Sequence, residues 1–455
     1  MTITSINPAT DQPLKDYALM ESREVRAVIK SCDRAYAKWR RTPFAERSNH
    51  MHAAARILKE RAPELGRLMA EEMGKPVKAG RSEAEKCAWV CDYYAENAIR
   101  FLGRETIATD ASSSFVTFEP MGVILAVMPW NFPFWQVFRF AAPALMAGNV
   151  GILKHASNVP GCALAIEDVF KEAGFPENVF RTLMIGSKQV NAVVRNKLVC
   201  AVTLTGSTAA GQAVAAQSGK VLKKTVMELG GSDPYVILED ADLEGAVAAC
   251  VTSRLINSGQ SCIAAKRFIV VESRREQFES LFVEKMRAAR MGNPMNEENT
   301  VGPQARRDLR DELHEQVGMS IAKGARCLLG GSIPEGPGAY YPPNVLADVG
   351  KGMPAYDEEL FGPVAAVIPV KDERAAIKAA NDSVFGLGAA DFTRDVAKGE
   401  RIAATELEAG CCFVNDFVKS DPRLPFGGIK ESGYGRELAH YGIKEFVNIK
   451  TVYVK

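Results

Sequence analysis

The sequence predicts an α/β protein with two parallel sheets, and the order of its apolar segments supports this fold class. Short apolar runs alternate with helical stretches from residue 122 to residue 239, and the alternation resumes after Gly259. Strands separated by helices are typical of βαβ units, whose parallel sheets are covered on both faces. A chain of 455 residues is also long enough to bury two or three cores.

The elements follow from the spacing of apolar residues. Residues 22–100 have the helical period, with apolar positions three or four residues apart, and we interpret them as a helical lead-in rather than the chemical centre. Further helices are predicted at 134–146, 162–173 and 209–218. The predicted strands lie at 123–128, 150–153, 180–185, 201–204, 235–238, 268–272, 364–370 and 411–415.

Two strand-like segments with polar alternation, 101–119 and 446–454, lie outside both blocks. An extended segment left alone is an exposed edge strand, and pairing between subunits removes that liability. The alternative is an edge strand packed within one subunit.

Composition excludes several classes of partner. Lys and Arg number 56 against 55 Asp and Glu, so a net charge of +1 gives no electrostatic reason to expect nucleic acid or an anionic membrane. The chain starts without a secretory signal pattern, and no uncharged apolar stretch reaches bilayer length. The ten cysteines and five histidines are not arranged at metal-binding spacings. We therefore expect a cytoplasmic protein with reduced thiols and no metal site.

Three short motifs carry candidate chemistry. Cys262 ends Gly-Gln-Ser-Cys and Glu228 opens Glu-Leu-Gly-Gly, which combines a thiol with a carboxylate that can activate water. Asn131, in Pro-Trp-Asn-Phe-Pro, follows an apolar run and offers an amide donor for an oxyanion. Each motif alone also has a structural interpretation, as a small core residue or as a turn.

Three further motifs follow in order along the chain. They are Thr-Gly-Ser-Thr-Ala-Ala-Gly at 205–211, Glu-Glu-Leu-Phe-Gly-Pro-Val at 358–364, and the glycine-rich segment at 425–437 that begins Pro-Phe-Gly-Gly. With these motifs the chain resembles the aldehyde dehydrogenase superfamily along essentially its whole length.

The resemblance implies a domain organisation. A Rossmann-like nucleotide-binding domain is expected from 1–101 and 122–232, and an α/β catalytic domain from 233–443. A small β oligomerisation arm is expected from 102–121 and 444–455. In the family such segments pair between subunits, so a homodimer or homotetramer is expected.

The resemblance also implies a mechanism. Cys262 is expected to form a thiohemiacetal and then a thioester with the aldehyde, while Asn131 and the Cys262 backbone N–H stabilise the oxyanion. Glu228 is the expected base for the thiol and for the hydrolytic water. The presence of Glu228 argues against the CoA-acylating branch, and the presence of all three residues argues against a noncatalytic structural member of the fold.

The nucleotide site lacks the Gly-x-Gly-x-x-Gly pattern of many dinucleotide enzymes. Gly206 and Ser207 stand instead at a strand-to-helix turn, where Ser207 can hold a phosphate or act as an ordinary N-cap. The family uses a similar turn, and the resemblance adds Trp130, Glu359 and Phe361 as cofactor contacts.

The choice of cofactor depends on two residues. Lys154 matches the family lysine that reaches the adenosine ribose, and Ser157 stands where many NAD-preferring members carry a glutamate. A neutral Ser157 beside Lys154 leaves room for a 2′-phosphate, so NADP is expected to be preferred over NAD. The alternative is a solvated lysine followed by a helix-capping serine.

The expected substrate is succinic semialdehyde. Arg139 matches an arginine that pairs with the substrate's distal carboxylate in family members with this activity, and Ser420 is a further candidate contact. Ile256 stands where those enzymes often carry a second arginine, and Ser420, together with Lys419 or Arg423, is expected to supply the missing donors. The alternatives are a partly buried Arg139 paired with a carboxylate, and a neutral aliphatic aldehyde or a longer semialdehyde as substrate.

Overall fold

The computed structural model describes residues 2–455, and its helices cover the faces of both sheets as the βαβ alternation requires. The predicted lead-in is helical from α1 to α4. The helices are α1 (Ser22–Trp39), α2 (Phe44–Glu60), α3 (Ala62–Met73), α4 (Val77–Phe101), α5 (Trp135–Met146), α6 (Pro160–Glu172), α7 (Ser187–Val194), α8 (Thr208–Lys220), α9 (Leu243–Leu255), α10 (Arg275–Arg287), α11 (Arg307–Ala322), α12 (Pro354–Asp357), α13 (Glu373–Asn381), α14 (Val396–Thr405) and α15 (Ala439–Lys444).

The strands form two large sheets, a three-stranded arm and two small antiparallel pairs. They are β1 (Thr2–Asn7), β2 (Gln12–Ala18), β3 (Glu105–Thr106), β4 (Ser113–Pro120), β5 (Val123–Met128), β6 (Val150–His155), β7 (Phe180–Thr182), β8 (Val199–Thr205), β9 (Lys224–Glu228), β10 (Pro234–Ile237), β11 (Arg267–Val271), β12 (Arg326–Leu329), β13 (Asn344–Ala347), β14 (Val364–Val370), β15 (Phe385–Gly386), β16 (Gly388–Phe392), β17 (Cys411–Val414), β18 (Ile429–Lys430), β19 (Gly433–Tyr434) and β20 (Val447–Val454).

The first sheet has the order β19-β9-β8-β5-β6-β7 and is parallel except for β19. Strand β19 lies within the 233–443 range expected for the second domain, although it pairs with a strand of the first sheet. Gly433 allows the pairing: its φ is +110°, and a Cβ there would lie 2.0 Å from the Met227 carbonyl oxygen. The chain thus returns to the first sheet after completing the second.

The second sheet has the order β12-β13-β14-β11-β10-β16-β17, and only β12 is antiparallel. Every residue of β10 and β11 is buried. Continuous apolar strands of this kind belong in the middle of a sheet covered by helices on both faces, which confirms the α/β fold class.

The arm is a sheet of order β20-β4-β3 in which β20 pairs along its whole length with β4. The two segments outside the α/β blocks therefore pair with each other within one subunit. The other edge of β20 has no strand partner within residues 2–455.

Helix α5 is buried along all 12 of its residues and holds the Asn131 loop at its N-terminal end. Glu83 of α4 accepts hydrogen bonds from the backbone N–H groups of Phe134 (2.9 Å) and Trp135 (3.0 Å). These N–H groups belong to the first turn, which has no partners within the helix. Glu83 is itself paired with the buried Lys75, so the start of α5 is fixed on both sides.

No helix within residues 2–455 is long and apolar enough to cross a membrane. In the same part of the chain no three His, Cys, Asp or Glu side chains are grouped as metal ligands, and all ten cysteines are free thiols.

Candidate active site

Cys262 follows a turn whose backbone is held in an unusual conformation. Asn257, Ser258 and Gly259 are all left-handed, with φ values of 51°, 57° and 77°. This conformation costs a residue with a side chain roughly 1–2 kcal/mol, and it persists only where neighbouring contacts impose it. A Cβ on Gly259 would lie 2.2 Å from the backbone of Gly362, so glycine is required there.

Buried hydrogen bonds hold this turn against the Asn131 loop. The Asn257 side-chain Nδ2 donates to the Asn131 carbonyl oxygen at 2.7 Å and to the Gln260 carbonyl oxygen at 3.0 Å. Ser258 Oγ accepts from the backbone N–H of Gly302 at 2.8 Å. The strained turn thus sets the position of Cys262 relative to Asn131.

Lys266 fixes the nucleophile from the other side. Its Nζ donates to the carbonyl oxygens of Ser261 (2.8 Å) and Cys262 (2.7 Å), and it lies 3.3 Å from Glu359 Oε1. The Lys266 side chain has no exposed surface. Sequence reasoning missed this residue, although a lysine that follows Ile-Ala-Ala and precedes a buried strand is a recognisable signal.

The Cys262 thiol is protonated at rest. The surrounding protein removes solvent from the sulfur and raises the pKa of Cys262 to about 12, against the opposing charges of Lys266 and Arg139. Because a thiolate is the effective nucleophile, Cys262 needs a base or an added positive charge to react.

Glu228, the last residue of β9, is a buried acid close to this thiol. Burial raises the pKa of Glu228 well above its usual range, with Arg139 opposing, and neither carboxylate oxygen has a hydrogen-bond partner among the described residues. A Cβ on Gly427 would lie 2.8 Å from Glu228 Oε1, and one on Gly231 would lie 2.6 Å from the Cys262 carbonyl oxygen. Two glycines thus let the carboxylate and the nucleophile's backbone approach their neighbours closely.

Asn131 is buried and has one amide hydrogen to spare. Its Nδ2 donates to the Gln260 carbonyl oxygen at 3.2 Å. A side-chain amide carries two N–H groups, so the second remains available for an oxyanion beside Cys262.

A cleft of about 430 Å³ runs past Cys262 and Asn131, and Glu228 is not among the residues that line it. The rings of Trp130 and Phe361 meet edge to face within it at 5.7 Å, and Glu359 accepts a hydrogen bond from Gly231 N–H at 3.0 Å. Of the predicted site residues, seven line the cleft: Cys262, Asn131, Trp130, Gly206, Ser207, Glu359 and Phe361.

The cleft includes the N-terminal end of α8. Ser207 is the N-cap, and its Oγ accepts from Ala210 N–H at 3.4 Å, as the N-cap interpretation predicts. The free N–H groups of the first turn favour an anion such as a phosphate, and Gly206 has no side chain to obstruct one.

Lys154 and Ser157 lie apart from this cleft, at the end of β6. Lys154 is partly exposed, and desolvation lowers its pKa. Ser157 is exposed and lines a second depression with Asn158, Arg306 and Arg307 among its walls.

Arg139 is buried and contacts other residues of the protein. It is 1% exposed and forms an ion pair with Glu437, which is 5% exposed. Its Nη2 donates to Thr205 Oγ1 at 3.4 Å, and the guanidinium lies 4.7 Å from the centre of the Phe426 ring. Arg139 does not line the cleft.

Ser420 is buried and accepts a hydrogen bond from Lys86 Nζ of α4 at 2.8 Å. The two cations considered for this region point elsewhere, since Lys419 pairs with Asp416 and Arg423 pairs with Asp421. Lys86 belongs to the helical lead-in, and its contact with Ser420 was not predicted.

Comparisons with known proteins identify the family of this chain. The sequence model described as "Aldehyde dehydrogenase family" matches residues 1–452. The chain belongs to the aldehyde dehydrogenase family. It is accordingly an NAD(P)-dependent oxidoreductase that converts aldehydes to carboxylic acids.

Similar members of this family carry more specific names. The chain is 49% identical over 454 residues to a probable succinate-semialdehyde dehydrogenase [NADP(+)] of Synechocystis, covering 100% of both chains. It is 46% identical over 459 residues to the succinate semialdehyde dehydrogenase [NAD(P)+] Sad of Escherichia coli K12, covering 100% of this chain and 99% of that one. The crystal structure of a Streptococcus pyogenes succinic semialdehyde dehydrogenase with NADP+ superposes with a TM-score of 0.97, at 37% identity and 99% coverage of both chains.

Proposed function

We propose that this aldehyde dehydrogenase oxidises succinic semialdehyde to succinate and prefers NADP to NAD. The observation that carries the proposal is the shared cleft of Cys262 and Asn131, which also contains the N-terminal end of α8. A thiol nucleophile and an amide donor thus lie in one cleft with an anion-binding helix end. The three named relatives, all succinic semialdehyde dehydrogenases, support the choice of aldehyde.

Cys262 begins the reaction by passing its proton to the ionised Glu228 as its sulfur bonds to the aldehyde carbon. The second amide hydrogen of Asn131 and the Cys262 N–H then bind the oxyanion. NADP supplies the acceptor for the hydride that leaves the same carbon. The carbonyl re-forms as a thioester on Cys262, which remains covalently attached to the acyl group.

Glu228 completes the cycle by taking a proton from water as that water attacks the thioester. The carbon–sulfur bond breaks, the sulfur takes up the proton that Glu228 gained from the water, and the carboxylate leaves. Because burial favours the protonated form of Glu228, hydration of the carboxylate or approach of a positive charge must first release its proton.

The residues present fit an NADP cofactor. Gly206 and Ser207 would hold a phosphate at the N-terminal end of α8. Glu359 would bind the nicotinamide ribose. Lys154 and Ser157 would bind the 2′-phosphate. Lys154 has no carboxylate within ion-pair distance among the described residues, so its charge is free to bind an anion. Ser157 places no negative charge beside it.

The cofactor is tested by kcat/KM with NADP and NAD. Because charge-assisted hydrogen bonds contribute about 1.5–3 kcal/mol each, we expect a preference for NADP of roughly tenfold or more. Ser157→Glu should reverse that preference, whereas Ser82→Glu, at an exposed serine of α4, should leave it unchanged. Equal kcat/KM values for both cofactors, unaffected by Ser157→Glu, would contradict the assignment.

The substrate is tested with succinic semialdehyde, butyraldehyde and a longer semialdehyde at saturating NADP. We expect the highest kcat/KM for succinic semialdehyde. A higher value for butyraldehyde would make the enzyme a dehydrogenase of neutral aliphatic aldehydes, and a higher value for the longer compound would extend the substrate.

The proposal includes a cytoplasmic homodimer or homotetramer. The unpaired edge of β20 and its exposed apolar residues, Ile449 (60%) and Tyr453 (52%), offer a surface for a second copy. Ten free thiols suit a reducing compartment. Light scattering on the purified protein tests the oligomer.

A further inference from the structure

We propose that Lys86 supplies the second positive charge that binds the substrate's remote carboxylate, with Ser420 holding its ammonium group in place. The inference rests on the proposed function and deepens it. It assigns a direct specificity contact to a helix of the lead-in.

The contacts of Lys86 place it beside the start of α5. Its Nζ donates to Ser420 Oγ at 2.8 Å and lies 4.3 Å from the centre of the Trp135 ring. Trp135 is four residues after Asn131 and four before Arg139, so it shares a helix face with Arg139. Lys86 therefore lies at the same end of α5 as the oxyanion donor.

The charge of Lys86 is not balanced by the protein. Among the described residues no carboxylate lies within ion-pair distance of it, although Glu83 and Asp421 are near. Each of these carboxylates has its own partner, Lys75 for Glu83 and Arg423 for Asp421.

Burial and a neighbouring cation disfavour the charge of Lys86. Burial and then the like charge of Arg139 lower the pKa of Lys86 to about 8, although Cys87, Glu83 and Asp421 act in the other direction. Two neighbouring cations, of which one has no partner, form a site that an anion stabilises.

The position of Arg139 connects this site with the nucleophile. Arg139 donates a hydrogen bond to Thr205, which lines the cleft with Cys262, and its charge acts on both the Cys262 thiol and the Lys86 ammonium. A substrate with its aldehyde at Cys262 and its carboxylate at Lys86 would pass Arg139. In this arrangement Arg139 supplies a supporting positive charge. Lys86 and Ser420 make the direct contact with the substrate carboxylate, in place of the arginine that Ile256 replaces.

The first test compares kcat/KM for succinic semialdehyde and butyraldehyde, which have the same chain length and differ in charge. Lys86→Met should lower the ratio of the two values roughly ten- to hundredfold, the equivalent of one charge-assisted hydrogen bond. Lys86→Arg should restore much of the ratio. Lys78→Met, at an exposed lysine of the same helix, should leave it unchanged. Activity with butyraldehyde reports whether each variant is folded.

The second test uses pH. Because the pKa of Lys86 is lowered to about 8, the ammonium form binds the carboxylate below that pH and is lost above it. The wild-type ratio should fall as the pH rises from about 6.5 to about 9.5, whereas in Lys86→Arg it should stay flat because arginine remains charged. Titration of Cys262 affects both substrates equally and cancels in the ratio.

The outcomes separate the two proposals. If the wild type prefers succinic semialdehyde and Lys86→Met keeps that preference, or lowers both kcat/KM values equally, the role of Lys86 is refuted and the proposed function stands. If the wild type does not prefer succinic semialdehyde, both are refuted.

Discussion

Replacement of Arg139 by methionine tests whether this residue supports the fold or contacts the substrate. The substitution keeps most of the side-chain volume and removes the guanidinium from its ion pair with Glu437. It also removes the cation that opposes protonation of Glu228. Two buried carboxyl groups then lose their nearest common positive charge.

The magnitude follows from burial. Arg139 and Glu437 are 1% and 5% exposed, and removal of one partner from such a buried pair costs about 3–5 kcal/mol. Burial already raises the pKa of Glu437, so this group can escape part of the cost by accepting a proton. We therefore expect about 3 kcal/mol for Arg139→Met. The double variant Arg139→Met/Glu437→Gln should recover about 1–2 kcal/mol of it, because it leaves no unpaired charge.

Urea denaturation of the wild type, both single variants and the double variant forms a double-mutant cycle that measures the coupling. Additive losses would show that the Arg139–Glu437 pair contributes nothing specific. Arg139→Met with unchanged stability and a loss of kcat/KM confined to succinic semialdehyde would refute the reasoning and show that the guanidinium binds the substrate directly.

Three further predictions concern the chemistry and the assembly. Cys262→Ala should abolish dehydrogenase activity, whereas Glu228→Gln should slow thioester hydrolysis and let an acyl-enzyme accumulate that mass spectrometry detects; substantial NADPH production by Cys262→Ala would exclude the covalent route. Because the pKa of Cys262 is raised to about 12, alkylation of the free enzyme by iodoacetamide should still accelerate above about pH 9, and a plateau near pH 8 would contradict this. Lys266→Met should slow the alkylation about tenfold or more at fixed pH. Lys266→Arg should recover part of the rate. Ile449→Arg at the exposed edge of β20 should shift light scattering toward the monomer, and an unchanged mass would exclude that edge as the interface.

The elements of the fold were largely predictable because buried parallel strands are continuous apolar runs. The strand predicted at 201–204 extends over Val199–Thr205, and the helix predicted at 134–146 covers Trp135–Met146. The two-residue strand β19 could not be predicted, because its signal is a single glycine and its partner β9 lies far away in the chain.

The site was predictable where the chemistry needs a particular residue in a recognisable motif, as for Cys262 and Asn131. Lys266 and Lys86 were missed for a different reason. Lys266 is distinguished by its hydrogen bonds to two backbone carbonyl oxygens, and Lys86 by the absence of a carboxylate partner among the described residues. Both properties depend on the three-dimensional structure. Helical periodicity around Lys86 indicates only a helix, and the interaction of that helix with α5 is a tertiary property.

Because β19 pairs with β9, the order of synthesis determines when the backbone around the catalytic carboxylate is fixed. Gly433 is the register partner of Glu228, and Ser432 accepts a hydrogen bond from Leu229 N–H at 3.0 Å, so the backbone around the catalytic carboxylate is held by a late segment. On the ribosome, β9 emerges about two hundred residues before its partner, and the second sheet is made in between. A nascent chain would thus contain Cys262 and the residues of the cleft before β19 pairs with β9 and holds the backbone around Glu228.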